Sequence, residues 1–361
     1  MALYLGSNGV NVRMGEVVEV APSIVGEIIQ RTVTTYENSE ITTIQDYAFY
    51  GCNSLISVSF LQATSISHRA FLECSALTNV DLPEVITIEQ SAFCSCSSLT
   101  SINMPKVTTI KNSVFYSCTS LTNIYLSKLT SVGSYVFCGC TNLVSVNLPM
   151  LTNIGQSVFY NCTSLTSVNL STISYLSSNV FGNCYSLFFV SIPSLTTVGS
   201  FAFYRCSALS SINLPNVISI YSNAFYECIS LESINAPNVT AIGSYTFYKC
   251  GALSSINLSK VISIYSYAFY ACRVLSSISL PKITSVGNSA FGNCYHLISL
   301  NLTSVSSVPT LDGSSVFTST PIGGYSTSAG QYGSVYVPAS LYNSFVTAQY
   351  WSLISSRIVS V

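Results

Sequence analysis

Fourteen cysteines stand in this chain of 361 residues, and what chemistry they could do is the first question the sequence raises. Twelve of them recur at a spacing of 22, from Cys52 to Cys294, each three residues after a phenylalanine and three before a leucine. In VFYNCTSLTSVNL, Val158 to Leu170, the set is Phe159, Cys162 and Leu165. A column of this kind could be a disulfide framework, a metal site, a row of reactive thiols, or packing. Stacked positions about 4.8 Å apart fall inside the Cα window for a bridge, but in a regular stack the Cβ vectors run parallel instead of facing. A metal needs ligands converging on one point, usually four, whereas a column supplies a line. Thiols in apolar surroundings are inert, and cysteine is a small, polarizable filler. Packing is the reading that the pattern supports.

Cys94 and Cys138 lie outside the column, one residue after Phe93 and Phe137, where most copies carry tyrosine. They create FCSC and FCGC, two coils or roughly 10 Å apart, too far for one tetrahedral centre. We read them as accessible thiols and expect no metal site. The other reactive residues are sparse. His68 and His296 lie some ten copies apart, and the 13 acidic residues are scattered, with no paired-carboxylate pattern. Neither the phosphate-cradling glycine motifs nor H-E-x-x-H occurs. The sequence therefore predicts no enzyme and no cofactor; a carbohydrate-active or peptide-cleaving enzyme is the rival reading, and it lacks a converging acid, base or nucleophile set.

The elements that would position these residues follow from the same period. Length alone suggests two domains, but a repeat of 22 without insertion across twelve copies, from Phe49 to Leu297, predicts a single elongated repeat domain. One unit reads LTSINMPKVTTIKNSVFYSCTS, Leu99 to Ser120. Ile102 and Met104 alternate as in a short strand, and Pro105, like the prolines at 83, 149, 193, 215, 237 and 281, marks its end. Val107 and Ile110 suggest a second short extended segment. Phe115, Cys118 and Leu121 at i, i+3, i+6 suit a 3₁₀ or α turn with one inward face. No unit can bury its own apolar stripe, so the copies must stack with strands parallel.

The motif L-x-x-I-x-L-P…V-x-x-I…A-F-x-x-C-x-x-L resembles the BspA-type leucine-rich repeat, over about Val33 to Leu311. The resemblance implies an α/β repeat fold, a right-handed leucine-rich-repeat solenoid of about 12 coils with N- and C-terminal caps. It also implies a bacterial or protist surface or extracellular setting, with adhesion in some members. We place the N-terminal cap at 1–32, followed by a degenerate coil with Val33, Tyr36, Ile41 and Ile44 in register. The solenoid is placed at 33–311 and the C-terminal cap at 312–361, with Phe317 four residues late for register. That cap is read as a Gly/Ser-rich loop at Tyr325 to Gly333, a strand at Ser334 to Val337, and a helix from near Ala339 carrying Leu341, Phe345, Ala348 and Trp351.

Bulk properties narrow the partners. Apolar residues make up 49% and charged residues 7%, with a net charge of −1. No basic patch exists for a phosphate backbone, so nucleic acid is not expected. No apolar run is long enough to span a bilayer, so no membrane insertion is expected. MALYLGSNGVNVRMGE lacks the basic and apolar regions of a signal peptide. Either the chain stays inside, or it leaves by a route that needs no such signal, or its natural form begins earlier.

The outward strand positions carry the functional expectation. Two columns flank the inward strand residue, one from Ser57 to Ser299 and one from Ser59 to Asn301, and nearly all are Ser or Asn. They form either a solvated, self-bonded sheet face or a concave surface for an extended uncharged protein or glycan. Tyr125, Phe188 and Phe189 interrupt the rows as candidate anchors; with Ser167, Asn169, Asn213 and Asn235 they are the expected binding residues. A tyrosine column, Tyr50, Tyr116, Tyr160, Tyr204, Tyr226, Tyr248 and Tyr270, is read as half-buried packing on the convex side. The expected protein is a monomeric adhesion or interaction module; the alternative is a phage- or prophage-encoded attachment module.

Overall fold

The computed structural model describes residues 12–13, 33–327 and 330–361. They fall into two compact units, Met1–Thr172 and Ile173–Val361. Both are stacks of parallel strands in short coils, the solenoid that the period of 22 predicts and that the family resemblance implies.

Nearly every coil opens on a three-residue strand with one inward side chain, the coil at Ser255–Ile256 on two residues. In Ser145–Asn147 the flanking Ser and Asn are exposed and Val146 is buried. The strand is short because the chain turns at Leu148 and Pro149, with the Leu151 N–H donating to the Leu148 carbonyl at 3.3 Å. A second strand of two residues follows, such as Asn153–Ile154. Register advances by one repeat per coil: Ser145, Val146 and Asn147 pair with Ser167, Val168 and Asn169, and in the second unit Ser211, Ile212 and Asn213 pair with Ser233, Ile234 and Asn235.

The strand column runs beyond the twelve sequence copies. Thr35–Glu37 precedes it, paired with Ser57–Ser59 on one side and with Val12–Arg13 on the other. Val33 and Ile44 are buried in this first coil, and the Tyr36 ring meets Phe49 at 5.2 Å. The rest of the expected N-terminal cap lies outside the described residues. After the last copy, Ser334–Val337 pairs with Ser299–Asn301, and Ile358–Ser360 pairs with Ser334–Val337. The late register of Phe317 is absorbed, since its ring still stacks on Phe291 at 5.9 Å and 5°.

The Phe-x-x-Cys block is not a helical turn. Residues two before and two after each phenylalanine adopt left-handed φ, as at Ser113 (59°) and Ser117 (57°) around Phe115. A left-handed residue cannot continue a right-handed helix and costs about 1 kcal/mol or more when it is not glycine. What stabilises it is coil-to-coil bonding: the N–H groups of Ser113, Phe115 and Ser117 donate to the carbonyls of Ser134, Val136 and Cys138 in the next coil, at 2.8–2.9 Å. The block is therefore a chain of turns acting as a third hydrogen-bonded ladder. The inward face survives, with Phe115, Cys118 and Leu121 all buried.

Within that face the phenylalanines stack almost flat. In the first unit Phe71 and Phe93 lie 4.9 Å apart at 2°, and Phe115 and Phe137 5.5 Å apart at 4°. In the second unit Phe203 and Phe225 lie 5.1 Å apart at 5°. Cysteine is more than filler here. From Cys74 to Cys162, and again from Cys206 to Cys294, each column thiol donates to the phenylalanine carbonyl of the preceding coil. The Phe115 carbonyl, for example, accepts the Cys118 N–H of its own coil at 3.2 Å and the Cys140 thiol of the next at 3.1 Å. No disulfide forms among the described residues. Burial pushes the thiols of Cys96, Cys140, Cys228 and Cys294 up, and those of Cys118, Cys206, Cys250 and Cys272 well above the ordinary range.

The C-terminal segment departs from one expected helix. Ala339–Leu341 is a 3₁₀ turn, Tyr342–Thr347 an α-helix, and Trp351–Arg357 a second 3₁₀ segment. The helix stops because Ala348 is extended and Tyr350 is left-handed. That break turns Trp351 onto Phe317, at 5.9 Å, and lets its indole N–H donate to the Pro309 carbonyl at 2.7 Å.

Two measurements follow. Phe115→Ala removes a ring stacked on both neighbours and should destabilise the chain by about 3–5 kcal/mol, read as a lower urea midpoint with unchanged secondary structure in the remainder. The thiol ladder predicts alkaline lability. Folded-state thiol pKa values lie above the unfolded value of about 8.5, so the stability they contribute is present below that pH and is lost as pH rises towards the folded values. Denaturant titrations between about pH 7 and 10.5 should show stability falling above about 8.5, by up to about 1.4 kcal/mol per pH unit for each buried thiol that ionises only on unfolding. Cys118→Ala should shallow that slope; a stability independent of pH across the range contradicts the burial.

Candidate binding surface

The strand face is built by a simple rule. With one side chain inward, its two neighbours point out, and at one repeat per coil identical side chains become neighbours. In the first unit the Ser145 hydroxyl donates to Asn123 Oδ1 at 2.6 Å, and Asn103 Nδ2 to Asp81 Oδ1 at 2.8 Å. In the second, Asn235 Nδ2 donates to Asn213 Oδ1 at 2.7 Å. The column just before the strand carries hydroxyls that donate along the stack, such as Thr100 to the Thr78 carbonyl at 3.3 Å.

The predicted residues fall into two groups. In the first unit, Tyr125 is 66% exposed and pairs across to Asn147, which in turn pairs to Asn169; Ser167 lies on the same strand, beside Ser145. Tyr125 therefore stands two coils from Asn169 on one sheet. In the second unit, Phe188 and Phe189 are 56% and 54% exposed. There Asn213 and Asn235 are direct partners. With Asn257 and the serines at 211, 233 and 255 they line an open depression of about 520 Å³ floored by Ile212, Ile234 and Ile256. Spacing alone did not reveal this depression. A signal for it exists in the order: SIN occurs three times in succession, at 211–213, 233–235 and 255–257, without an aromatic interruption.

The turn face carries a different ladder. In the second unit Tyr204, Tyr226, Tyr248 and Tyr270 form one continuous stack, with ring separations of 5.2, 4.8 and 5.2 Å. Tyr245 and Tyr267, missed in the sequence, stack beside it at 4.8 Å. Glu227 bridges Arg205 at 2.9 Å and Lys249 at 3.0 Å. Burial pushes its carboxyl up, but the two partners together outweigh it and hold the group below the usual range. Charges of alternating sign at 205, 227 and 249 were the readable signal for this line.

The reactive residues stay apart. Among the described residues no three His, Cys, Asp or Glu side chains gather as a metal-ligand set. His68 meets Tyr47 edge-on at 5.7 Å, and His296 Nδ1 lies 2.7 Å from the Arg273 carbonyl. Of the two extra thiols, Cys94 is partly exposed, whereas Cys138 is buried, against expectation. Its small side chain sits in the column between Tyr116 and Tyr160, whereas Cys94 has Leu72 on one side. Burial pushes Cys138 up to about 11; it also raises Cys94, which the Ser95 hydroxyl partly offsets.

The repeat profile described as BspA type leucine rich repeat region, in 6 copies, matches residues 32–128, 108–219 and 196–321. The chain belongs to this family. Its fold is shared with a leucine-rich repeat protein from Bacteroides ovatus at 21% identity and a TM-score of 0.63, covering 89% of this chain and 88% of that one. A leucine-rich cell surface protein from Faecalibacterium prausnitzii matches at 22% identity and a TM-score of 0.46, covering 90% and 91%. No curated protein matches the chain. Among the described residues no helix is long and apolar enough to cross a membrane.

The two extra thiols give a direct check. Brief alkylation of the folded protein near pH 8, followed by peptide mass mapping, should label Cys94 first and Cys138 much more slowly. Equal labelling of both, or prior labelling of column cysteines, contradicts this order.

Proposed function

We propose that this chain is a non-enzymatic interaction module that binds an uncharged protein or glycan along its strand face, as a monomer at a cell surface. The observation that carries the reading is the strand face of the second unit. Asn213 and Asn235 line an open depression there, and a strand beginning with the exposed Phe189 belongs to the same unit. The family supports it, since leucine-rich-repeat proteins bind protein partners. In this reading the hydroxyl and amide rows match hydrogen-bonding groups of a neutral ligand, and Phe188, Phe189 and Tyr125 supply apolar contact. Ser167 and Asn169 extend the rows in the first unit. Residues 312–361 act as the C-terminal cap, a role supported by Trp351 covering the end of the phenylalanine stack.

An array of matrix proteins and neutral glycans, screened with the intact protein, tests the reading. A binder should lose about tenfold in affinity or more, roughly 1.4 kcal/mol, on Phe188→Ser with Phe189→Ser or on Asn213→Ala with Asn235→Ala. Tyr125→Ser tests the first unit separately. Exposed positions should leave the unfolding midpoint unchanged. Binding that survives all of these variants, or a hydrolytic activity without binding, contradicts the proposal.

A further inference from the structure

The tyrosine ladder of the second unit has a geometry that packing alone does not require. Tyr226 and Tyr248 lie 4.8 Å apart at 13°, and Tyr248 and Tyr270 5.2 Å apart at 9°. The second stack, Tyr245 on Tyr267, is 4.8 Å apart at 5°. The two stacks touch, Tyr245 to Tyr248 at 5.6 Å and Tyr267 to Tyr270 at 5.7 Å. All of these rings are half-buried, neither sealed in the core nor free in water. Stacked nearly parallel at these separations, each of these phenols has another phenol as its neighbour in the adjacent coil.

We propose that this patch is a site of oxidative tyrosine–tyrosine coupling, which joins neighbouring coils covalently when the protein meets a peroxidase and hydrogen peroxide. Two phenols each lose one electron and one proton, giving two phenoxyl radicals. Their ortho carbons join, each ring loses its ortho hydrogen to restore aromaticity as the oxygen regains a proton, and one peroxide is reduced to two waters. The net change is the loss of two hydrogens per link. Proximity decides the site: a radical held against its partner in the same chain couples far faster than two chains meeting in solution. Tyr47 and Tyr50 meet edge to face at 6.0 Å and 85°. Phe201, beside Tyr204 at 5.8 Å, has no phenol to oxidise. The phenylalanine ladder has none either, and the column thiols are buried.

The test treats the intact protein with peroxidase and limiting hydrogen peroxide, then digests it with trypsin. Cleavage at Arg205, Lys249, Lys260 and Arg273 puts Tyr245 and Tyr248 on one peptide and Tyr267 and Tyr270 on another. The expected product is these two peptides joined, lighter by two hydrogens than their sum, with fragmentation placing the bond at Tyr248–Tyr270 or Tyr245–Tyr267. Tyr267→Phe with Tyr270→Phe keeps the rings and should abolish that joined product, while a link within the first peptide, at Tyr226–Tyr248, persists. Oxidation in denaturant should scatter the links. The proposal is overturned if the folded protein couples instead through its more exposed tyrosines, Tyr221 and Tyr265, at 52% and 55% exposure, or yields mainly chain-to-chain dimers.

Discussion

Everything in each unit depends on one contact made once per coil: the phenylalanine carbonyl that accepts both its own coil's cysteine N–H and the next coil's cysteine thiol. The Phe225 carbonyl takes Cys228 N at 3.2 Å and Cys250 Sγ at 3.1 Å. A carbonyl has two lone pairs, and this one uses both, so it ties its own coil to the next. Cysteine fits because its side chain is small and apolar enough for the core yet keeps a weak S–H donor. Serine would carry a stronger donor but lose the apolar volume, and alanine would supply neither. The bond also fixes register. A coil slipped by one residue would face its thiol away from the carbonyl and its phenylalanine out of the stack.

Fixed register has a consequence for every surface position: each side chain faces the residue at the same repeat position about 5 Å away, in many columns a copy of itself. Identical aromatic rings tolerate this by stacking, as the phenylalanines inside and the tyrosines outside do. Asparagine and threonine tolerate it because each both donates and accepts. Identical charges do not, since two like charges near 4 Å repel by about 1 kcal/mol even in water. The low charge content is thus a property of the architecture before it is a property of any ligand. Two columns place opposite charges side by side and pair them, Arg205–Glu227–Lys249 and Glu84–Lys106, although Lys106 is followed by Lys128 and Lys260 by Lys282 at the same position.

The same reasoning explains what could be read from the sequence and what could not. The coil, its two strands, its core triad of Phe, Cys and Leu, and the membership of the family were all legible, because period 22 repeats them without a gap. The turn block was misread as helical because i, i+3, i+6 spacing suits both a helix and a series of turns. The left-handed residues that decide between them are mostly serines, asparagines and even Tyr245 (57°) and Lys249 (58°), with glycine at only a few of the positions, such as Gly51 and Gly139. The thiol hydrogen bond was invisible for a different reason, since its acceptor lies 25 residues away on the backbone of another coil. Exposure of Cys138 depended on the size of its column neighbours, and the depression over Ile212, Ile234 and Ile256 on three successive coils without an aromatic. Both are properties of adjacent copies, which a reading of one unit at a time passes over.

The asparagine column of the strand face shows how architecture and recognition meet. A primary amide has two N–H donors and a carbonyl with two acceptor sites. The bond from Asn235 Nδ2 to Asn213 Oδ1 uses one donor of one amide and one acceptor site of the other. Each amide in such a row therefore keeps capacity of both kinds for groups above the sheet, repeated at the strand spacing. A ligand carrying a fixed charge would find no counter-charge in this row. A chain of hydroxyls or peptide groups finds a donor and an acceptor at each step, at a cost of displacing water from groups already held in place. Because the ladder holds those amides before any ligand arrives, little side-chain freedom remains to be lost on binding. The constraint that makes the coils stack is therefore also what preorganises the face on which a neutral partner would lie.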